Sequence, residues 1–452
     1  MSQSKLFFFT AVLMIIAPSA LAENSIWRVT AHTQNLGPVE FHLQIDASRD
    51  FLQGHSLSGS TSLLAQLAET PDISSGLMAF SARRGDGATY TGPVIAPWQD
   101  GTITLVLEND TLEGEIDGGI FAGSLDGLRV DSASVMRDYP AILADFDNVV
   151  AGKVFAPQDL ALPAYVEFRE RLGQVAATAR DDLDLLFGFR WLWQNDPFSH
   201  FQLKRSQQSA AELFTFFDSY RVGFDAATVE FVDDIAVLTV RTMMGADTIE
   251  QIVAAYNEIA AANPAGLIID LRGNGGGAFA VKPLVEHVID EPVDAGFFIS
   301  QVWNRKHDAP PSTEQVLAVA PWGGWSIIGF WKAVQESDIV RVQFNPAEPN
   351  YDGPVFVLLD ERSASATELA ADALRSSGVA TLVGERSAGE MLSQSMFDIK
   401  DNFMISLPVA DYYSIEHGRI EGAGVPVDFE AESDQALAVA TKLLRNRTSG
   451  TN

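Results

Sequence analysis

Three short stretches of the chain hold residue types at spacings that could do chemistry. In Asp270-Leu271-Arg272-Gly273-Asn274-Gly275-Gly276-Gly277 an apolar run ends in four glycines. A strand that leaves through such a loop into a helix has backbone N–H groups available to face an anion. The pattern fits neither G-x-G-x-x-G nor a phosphate loop closed by Gly-Lys-Ser/Thr, so taken alone it is as readily a plain turn. In Asp360-Glu361-Arg362-Ser363-Ala364-Ser365-Ala366-Thr367-Glu368 the apolar run Val355 to Leu359 passes into an Ala/Leu-rich helix. A serine at that junction sits where the helix dipole favours an alkoxide and an oxyanion. Ser363, Ser365 or Thr367 could equally be an ordinary helix cap. In Asn195-Asp196-Pro197-Phe198-Ser199-His200-Phe201 a histidine stands beside a serine among aromatic residues, either as a general base or as a packed side chain.

The composition narrows the chemistry. The chain has no cysteine, so a thiolate nucleophile, a disulfide framework and thiolate-held zinc or iron–sulfur clusters are excluded, and covalent catalysis needs an oxygen or nitrogen nucleophile. Its 30 Lys+Arg against 60 Asp+Glu give a net charge of −30, which repels nucleic acid and anionic lipid. No cofactor or metal is expected. A length of 452 residues with 47% hydrophobic content suffices for two or three folded domains.

The elements that must position these residues follow from the pattern. Residues 1–22 read as a signal peptide, with Lys5 before the apolar run Leu6 to Ala17 and Ala20-Leu21-Ala22 as the cleavage site. The run is shorter than the roughly 20 residues of a spanning helix. Export to the periplasm or the exterior is therefore expected, with no stable membrane insertion after cleavage. Residues 23–150 alternate polar and apolar in short runs, predicting an antiparallel sandwich or barrel; His32, His42 and His55 are scattered there without metal-ligand spacing. Residues 151–220 form a linker and a helical segment carrying Ser199-His200, and 221–445 an α/β core in which strands alternate with helices. Within it, about 301–350 is an insertion holding Trp303, Trp322, Trp325 and Trp331, either a substrate-facing lid or a packed helical excursion; 446–452 is a tail.

Together the blocks Leu267 to Gly277, Asp360 to Glu368 with Leu382-Val383-Gly384-Glu385, and Glu421 to Asp428 resemble the carboxyl-terminal-processing (tail-specific) and tricorn-type serine peptidases, in order and approximate spacing. The resemblance covers about 160 to 445 and leaves out the first 150 residues. It implies an α/β fold with a crotonase-like ββα core, a serine endopeptidase activity on proteins or peptides, Ser365 as nucleophile, and Gly276 with the amide of Ala366 as oxyanion hole. The serine–lysine branch of the family has a basic lysine where this chain has Glu390, and usually an aspartate where it has Ser376. The tricorn-type branch has a Ser-His pair ahead of its core, to which Ser199-His200 is similar, so the resemblance implies His200 as general base and Glu421 as the carboxylate behind it, with Glu390 as the rival acid. Between His200 and Ala227 too few residues remain for the PDZ domain that many relatives carry. The alternatives are a catalytically silent carrier of a hydrophobic ligand, since the fold is shared with retinoid-carrying proteins, and an interaction scaffold of the cell envelope.

Overall fold

The computed structural model describes residues 24–449 except 49, 59–76, 97–99, 120, 195 and 325. The expected signal segment, Trp325 and residues 450–452 of the tail lie outside the described residues. The chain divides into two compact units, one reaching to Met136 and including Ala179–Asp184, the other Arg137–Thr178 with Leu185 onward.

The first unit is a closed antiparallel barrel of eight strands, each paired with the next and the first with the last. They are β1 (Ser25–Thr33), β2 (Gly37–Ala47), β3 (Phe51–Ser56), β4 (Ala79–Arg84), β5 (Thr89–Ile95), β6 (Gly101–Glu108), β7 (Thr111–Asp117) and β8 (Gly123–Val130). Of the two architectures that the alternation allowed, the barrel is the one formed. Trp27, Val29 and Ala31 point inward from β1, Phe41, Leu43 and Ile45 from β2, and Ile103, Leu105 and Leu107 from β6, all buried. A barrel of about eight strands is just wide enough for side chains to fill it. A buried carboxylate, Asp181, accepts hydrogen bonds from Ser58 Oγ at 2.7 Å and from the His42 N–H at 3.4 Å. Burial, reinforced by the charge of Asp184, pushes its pKa well above the usual carboxylate range.

The second unit begins with α1 (Tyr139–Lys153), which runs through position 150, where the composition changes. There follow α2 (Pro163–Thr178), α3 (Asp182–Leu192), which belongs to this unit from Leu185 onward, β9 (Gln202–Arg205) and α4 (Ala210–Phe217). Next come β10 (Ala227–Val232), β11 (Ile235–Val240), α5 (Ala246–Ala262), β12 (Gly266–Asp270), α6 (Val281–Glu286) and β13 (Val293–Ser300). The insertion contributes α7 (Gln301–Asn304), α8 (Thr313–Leu317), α9 (Ile327–Glu336) and β14 (Val340–Phe344). The chain continues through β15 (Val355–Leu359), α10 (Ala366–Ser376), β16 (Ala380–Gly384), β17 (Ser393–Ile399), β18 (Phe403–Ser414), β19 (Gly418–Arg419), β20 (Phe429–Glu430) and α11 (Ala436–Ser449).

One sheet has the order β10-β11-β12-β15-β16-β20, parallel except for the β10–β11 hairpin. Its central strands are uninterrupted apolar runs because both faces are covered. On one face Leu267, Ile269, Val355 and Val357 join a core with residues of α5 and α10, and on the other Ile268, Phe356 and Leu358 pack with Ala436, Ala440 and Leu444 of α11. A second, antiparallel sheet has the order β14-β13-β18-β17, with β9 and β19 also paired to β18. Adjacent β12 and β15 release the glycine loop and the serine turn at their carboxyl ends, where parallel α/β sheets open a crevice. Among the described residues no helix is long and apolar enough to cross a membrane.

The barrel depends on glycine where strands approach closely. A β-carbon at Gly92 would stand 2.0 Å from the Ser81 carbonyl oxygen and 2.7 Å from the Ala82 Cα, both backbone atoms that cannot give way. Gly92→Ala is therefore expected to destabilise the barrel by about 1–3 kcal/mol, the usual range for overpacking. Denaturant titration of the variant measures this, and an unchanged midpoint would show that the strands can part.

Candidate active site

The turn from β15 to α10 is built around Ser365, the last residue before the helix, at φ 57° and ψ −121°. An ordinary helix cap is extended, and a non-glycine residue in this region stores strain of about 1–3 kcal/mol. Hydrogen bonds on every side hold it there. The Ser365 N–H donates to Glu368 Oε2 at 2.9 Å, the Ala364 N–H to the Asn274 carbonyl at 3.0 Å, and Ser363 Oγ to the Leu271 carbonyl at 2.9 Å. The serine turn and the glycine loop are thus joined at several points.

Gly276 shows how tightly they meet. A β-carbon there would lie 2.5 Å from the Ala364 carbonyl oxygen and 2.7 Å from Ser365 Cβ, at a φ of +87° that itself favours glycine. The Gly276 N–H donates to the side chain of buried Asn274, Oδ1, at 2.9 Å, while Asn274 Nδ2 donates to the Val240 carbonyl at 2.9 Å. Ala366 is the first residue of α10, so its N–H is at the positive end of the helix dipole.

Ser199-His200 is placed by its neighbours. Phe198 and Phe201 are buried, with Trp193 within 5.1 Å and 4.7 Å of their ring centroids, so the two polar residues between them are held between fixed anchors. Ser199 Oγ lies 2.7 Å from His200 Nδ1. The Ser199 N–H donates to Glu421 Oε1 at 3.0 Å, and the Met391 N–H donates to Glu421 Oε2 at 2.7 Å. Glu421 therefore bonds the backbone of the serine beside the histidine, and it is Ser199 Oγ that touches the ring.

His200, Ser365, Gly276 and Ala366 line one cavity of about 380 Å³. No hydrogen bond joins His200 to Ser365, as is common where such contacts tighten only around substrate. The remaining walls are apolar, with Phe279, Phe330, Trp322 and Trp331 prominent. Of the insertion's tryptophans, Trp322 and Trp331 face this cavity, whereas Trp303 packs with Phe297, Ile299, Val316 and Ile339 in a separate cluster.

Glu390 does not line the cavity; its place is taken by Met391 and Leu392. Its N–H donates to Glu368 Oε2 at 3.0 Å, and burial together with the charge of Glu421 pushes its carboxyl up from the usual value. Ser376 Oγ is 3.2 Å from His417 Nδ1, which also meets Asp372 Oδ1 at 2.9 Å, on the far end of α10 from Ser365.

Sequence reasoning missed Asn274 and Glu368 as structural parts of the site. Glu368 had a visible signal, since Ser365-x-x-Glu368 is a capping-box spacing. Asn274 had none beyond its place inside the glycine run. Among the described residues no group of three or more His, Asp or Glu is arranged to hold a metal ion.

Burial lowers the His200 pKa from its ordinary value of 6.5, and the charge of Glu421 opposes that shift. The ring is expected to titrate below 6.5 in the folded protein, and Glu421→Gln to lower it further by removing the opposing charge. An NMR titration of the His200 ring checks both, and a value above 6.5 in the unsubstituted protein would contradict the burial argument.

Known proteins similar to this chain match it mainly within the second unit. Residues 234–431 match the model of peptidase family S41. The carboxyl-terminal-processing protease of Synechocystis is 28% identical over 187 residues, 41% of this chain and 36% of that protein. The chloroplastic carboxyl-terminal-processing peptidase 1 of Arabidopsis thaliana is 30% identical over 99 residues, 22% of this chain and 20% of that protein. The chain thus spans about a third or less of the length of these relatives. Among solved structures, the photosystem II D1 C-terminal processing protease superposes at a TM-score of 0.42 with 14% identity, over 69% of this chain and 97% of that one. Residues 234–431 are thus similar to peptidase family S41 and, more loosely, to the carboxyl-terminal-processing proteases.

Proposed function

We propose that the protein is an exported serine endopeptidase in which Ser365 is the nucleophile and His200 the general base, on a crotonase-like core without a PDZ domain. The observation that carries the mechanism is that His200 and Ser365 line one cavity while Ser199 Oγ sits 2.7 Å from the Nδ1 of the ring. If Nδ1–H donates to Ser199 Oγ, the lone pair is on Nε2, the tautomer that a base facing Ser365 needs. Glu421 acts through Ser199, whose N–H it accepts, and through its charge, which favours the imidazolium formed when the proton arrives.

In this reading His200 takes the Ser365 proton as Oγ attacks a peptide carbonyl. The Ala366 N–H at the start of α10 stabilises the oxyanion. The Gly276 N–H, which Asn274 Oδ1 accepts at 2.9 Å, has to turn toward the substrate to add a second donor. The protonated ring then gives its proton to the leaving amine, and water hydrolyses the acyl-enzyme. The aromatic lining favours substrates that place a large apolar side chain beside the scissile bond.

Ser365→Ala is expected to abolish hydrolysis of an apolar peptide substrate while the protein remains folded, and turnover by that variant would remove the nucleophile assignment. Glu421→Gln is expected to lower kcat strongly, toward the loss of about 10⁴ seen when a triad carboxylate is neutralised. Glu390→Gln should cost much less. The reverse order, measured at saturating substrate, would make Glu390 the working acid. Trp322→Ala should raise KM for peptides with a large apolar residue more than for those with alanine; equal changes would mean that the aromatic wall does not select.

A further inference from the structure

Beside the apolar cavity the second unit has another, of about 330 Å³, in which Lys153, Arg305 and Lys306 stand among Ser300, Gln301, Gln335, Val302 and Val409. Lys306 Nζ pairs with Asp338 at 2.6 Å. Among the described residues neither Lys153 nor Arg305 has a carboxylate partner. Lys153 Nζ lies 5.7 Å from the centroid of the Phe397 ring, and Arg305 donates one N–H to the Ala151 carbonyl at 3.5 Å. Lysine has three donors and arginine five, so most remain available. The negative end of α1 explains a cation beside it, and Gln301 Nε2 already donates to the Gly152 carbonyl there at 2.6 Å. It does not explain why Lys153 and Arg305, neither paired with a carboxylate, line one cavity with Lys306 in a chain with a net charge of −30.

The two cavities are neighbours along two elements. On β13, Phe298 lines the first and Ser300 the second; being two apart they share a strand face, about 7 Å from each other. On α9, Trp331 lines the first and Gln335 the second, one turn and about 6 Å further on.

We propose that the cationic cavity takes the carboxylate of a peptide whose apolar side chain fills the cavity beside Ser365. This deepens the peptidase reading and rests on it for the peptide nature of the ligand. The carboxylate comes from an acidic side chain or from the end of the peptide. Partly exposed ion pairs are individually weak and salt-sensitive, so two or three of them should give about a fivefold to tenfold preference.

The test measures binding on the Ser365→Ala protein with fluorescent peptides that contain one phenylalanine and differ in charge. One pair compares Glu with Gln two or three residues away, and a second compares a free with an amidated C-terminus. The expected result is tighter binding of the charged member of one pair by about fivefold to tenfold, a difference that shrinks with salt. Lys153→Gln and Arg305→Gln should each reduce the preference while leaving the Kd of the neutral peptide unchanged. Equal affinities in both pairs overturn the proposal, as does a preference that survives in both variants or no peptide binding at all. Hydrolysis by the unsubstituted protein is measured separately. Cleavage without a carboxylate preference removes this proposal alone, whereas the preference without cleavage removes only the catalytic reading.

Discussion

The buried carboxylate of Glu368 is the constraint on which the rest of the site depends. It accepts hydrogen bonds from the Ser365 N–H, the Gly389 N–H, the Glu390 N–H and Ser387 Oγ, at 2.6–3.0 Å. Burial raises its pKa and those bonds oppose the rise. One side chain therefore ties the strained turn of Ser365 to the loop after β16. That loop in turn presents the Met391 N–H to Glu421, and Glu421 holds Ser199 beside His200. Residues more than 160 positions apart in sequence thus share one connected set of hydrogen bonds. Loss of the Glu368 carboxylate would leave several buried N–H groups without acceptors, each costing about 1–3 kcal/mol.

This arrangement also gives the strain at Ser365 a structural explanation. A φ of 57° costs a serine energy that isolated helix caps do not bear. It persists because the turn is fixed from both sides, by Asn274 and Leu271 of the glycine loop and by Glu368 of its own helix. Gly276 then approaches so closely that any β-carbon would overlap the turn. The glycine run is a packing requirement here as well as a source of N–H groups.

Much of this was legible in the sequence where a local pattern decides the structure. The continuous apolar runs at Leu267 and Val355 gave parallel strands, and the alternation around Trp27, Phe41 and Ile103 gave a β module, though alternation alone could not choose between a sandwich and the barrel. Ser365, His200, Gly276 and Ala366, which only the family resemblance singled out from their neighbours, all line one cavity. What could not be read was which atom meets which. Glu421 was expected against the imidazole, and the structure puts it on the Ser199 N–H, because that contact depends on how the loop after β19 meets the turn before β9. The Gly276–Asn274 bond was equally hidden, since it is set by a side-chain rotamer and by no spacing.

The closure of the barrel has a consequence in time. β1 pairs along its length with β8, from Ile26 with Val130 to Thr33 with Gly123, so the first strand waits for the last before either has both neighbours. The strands between form hairpins from contacts close in sequence, but the seam is a contact across almost the whole unit. Such non-local pairings pay loop-closure entropy before they gain stability and are slow to form. As the chain emerges from the ribosome, β1 presents an open edge until about residue 130 has been made. The order of synthesis thus leaves the first-made strand of this unit exposed longest.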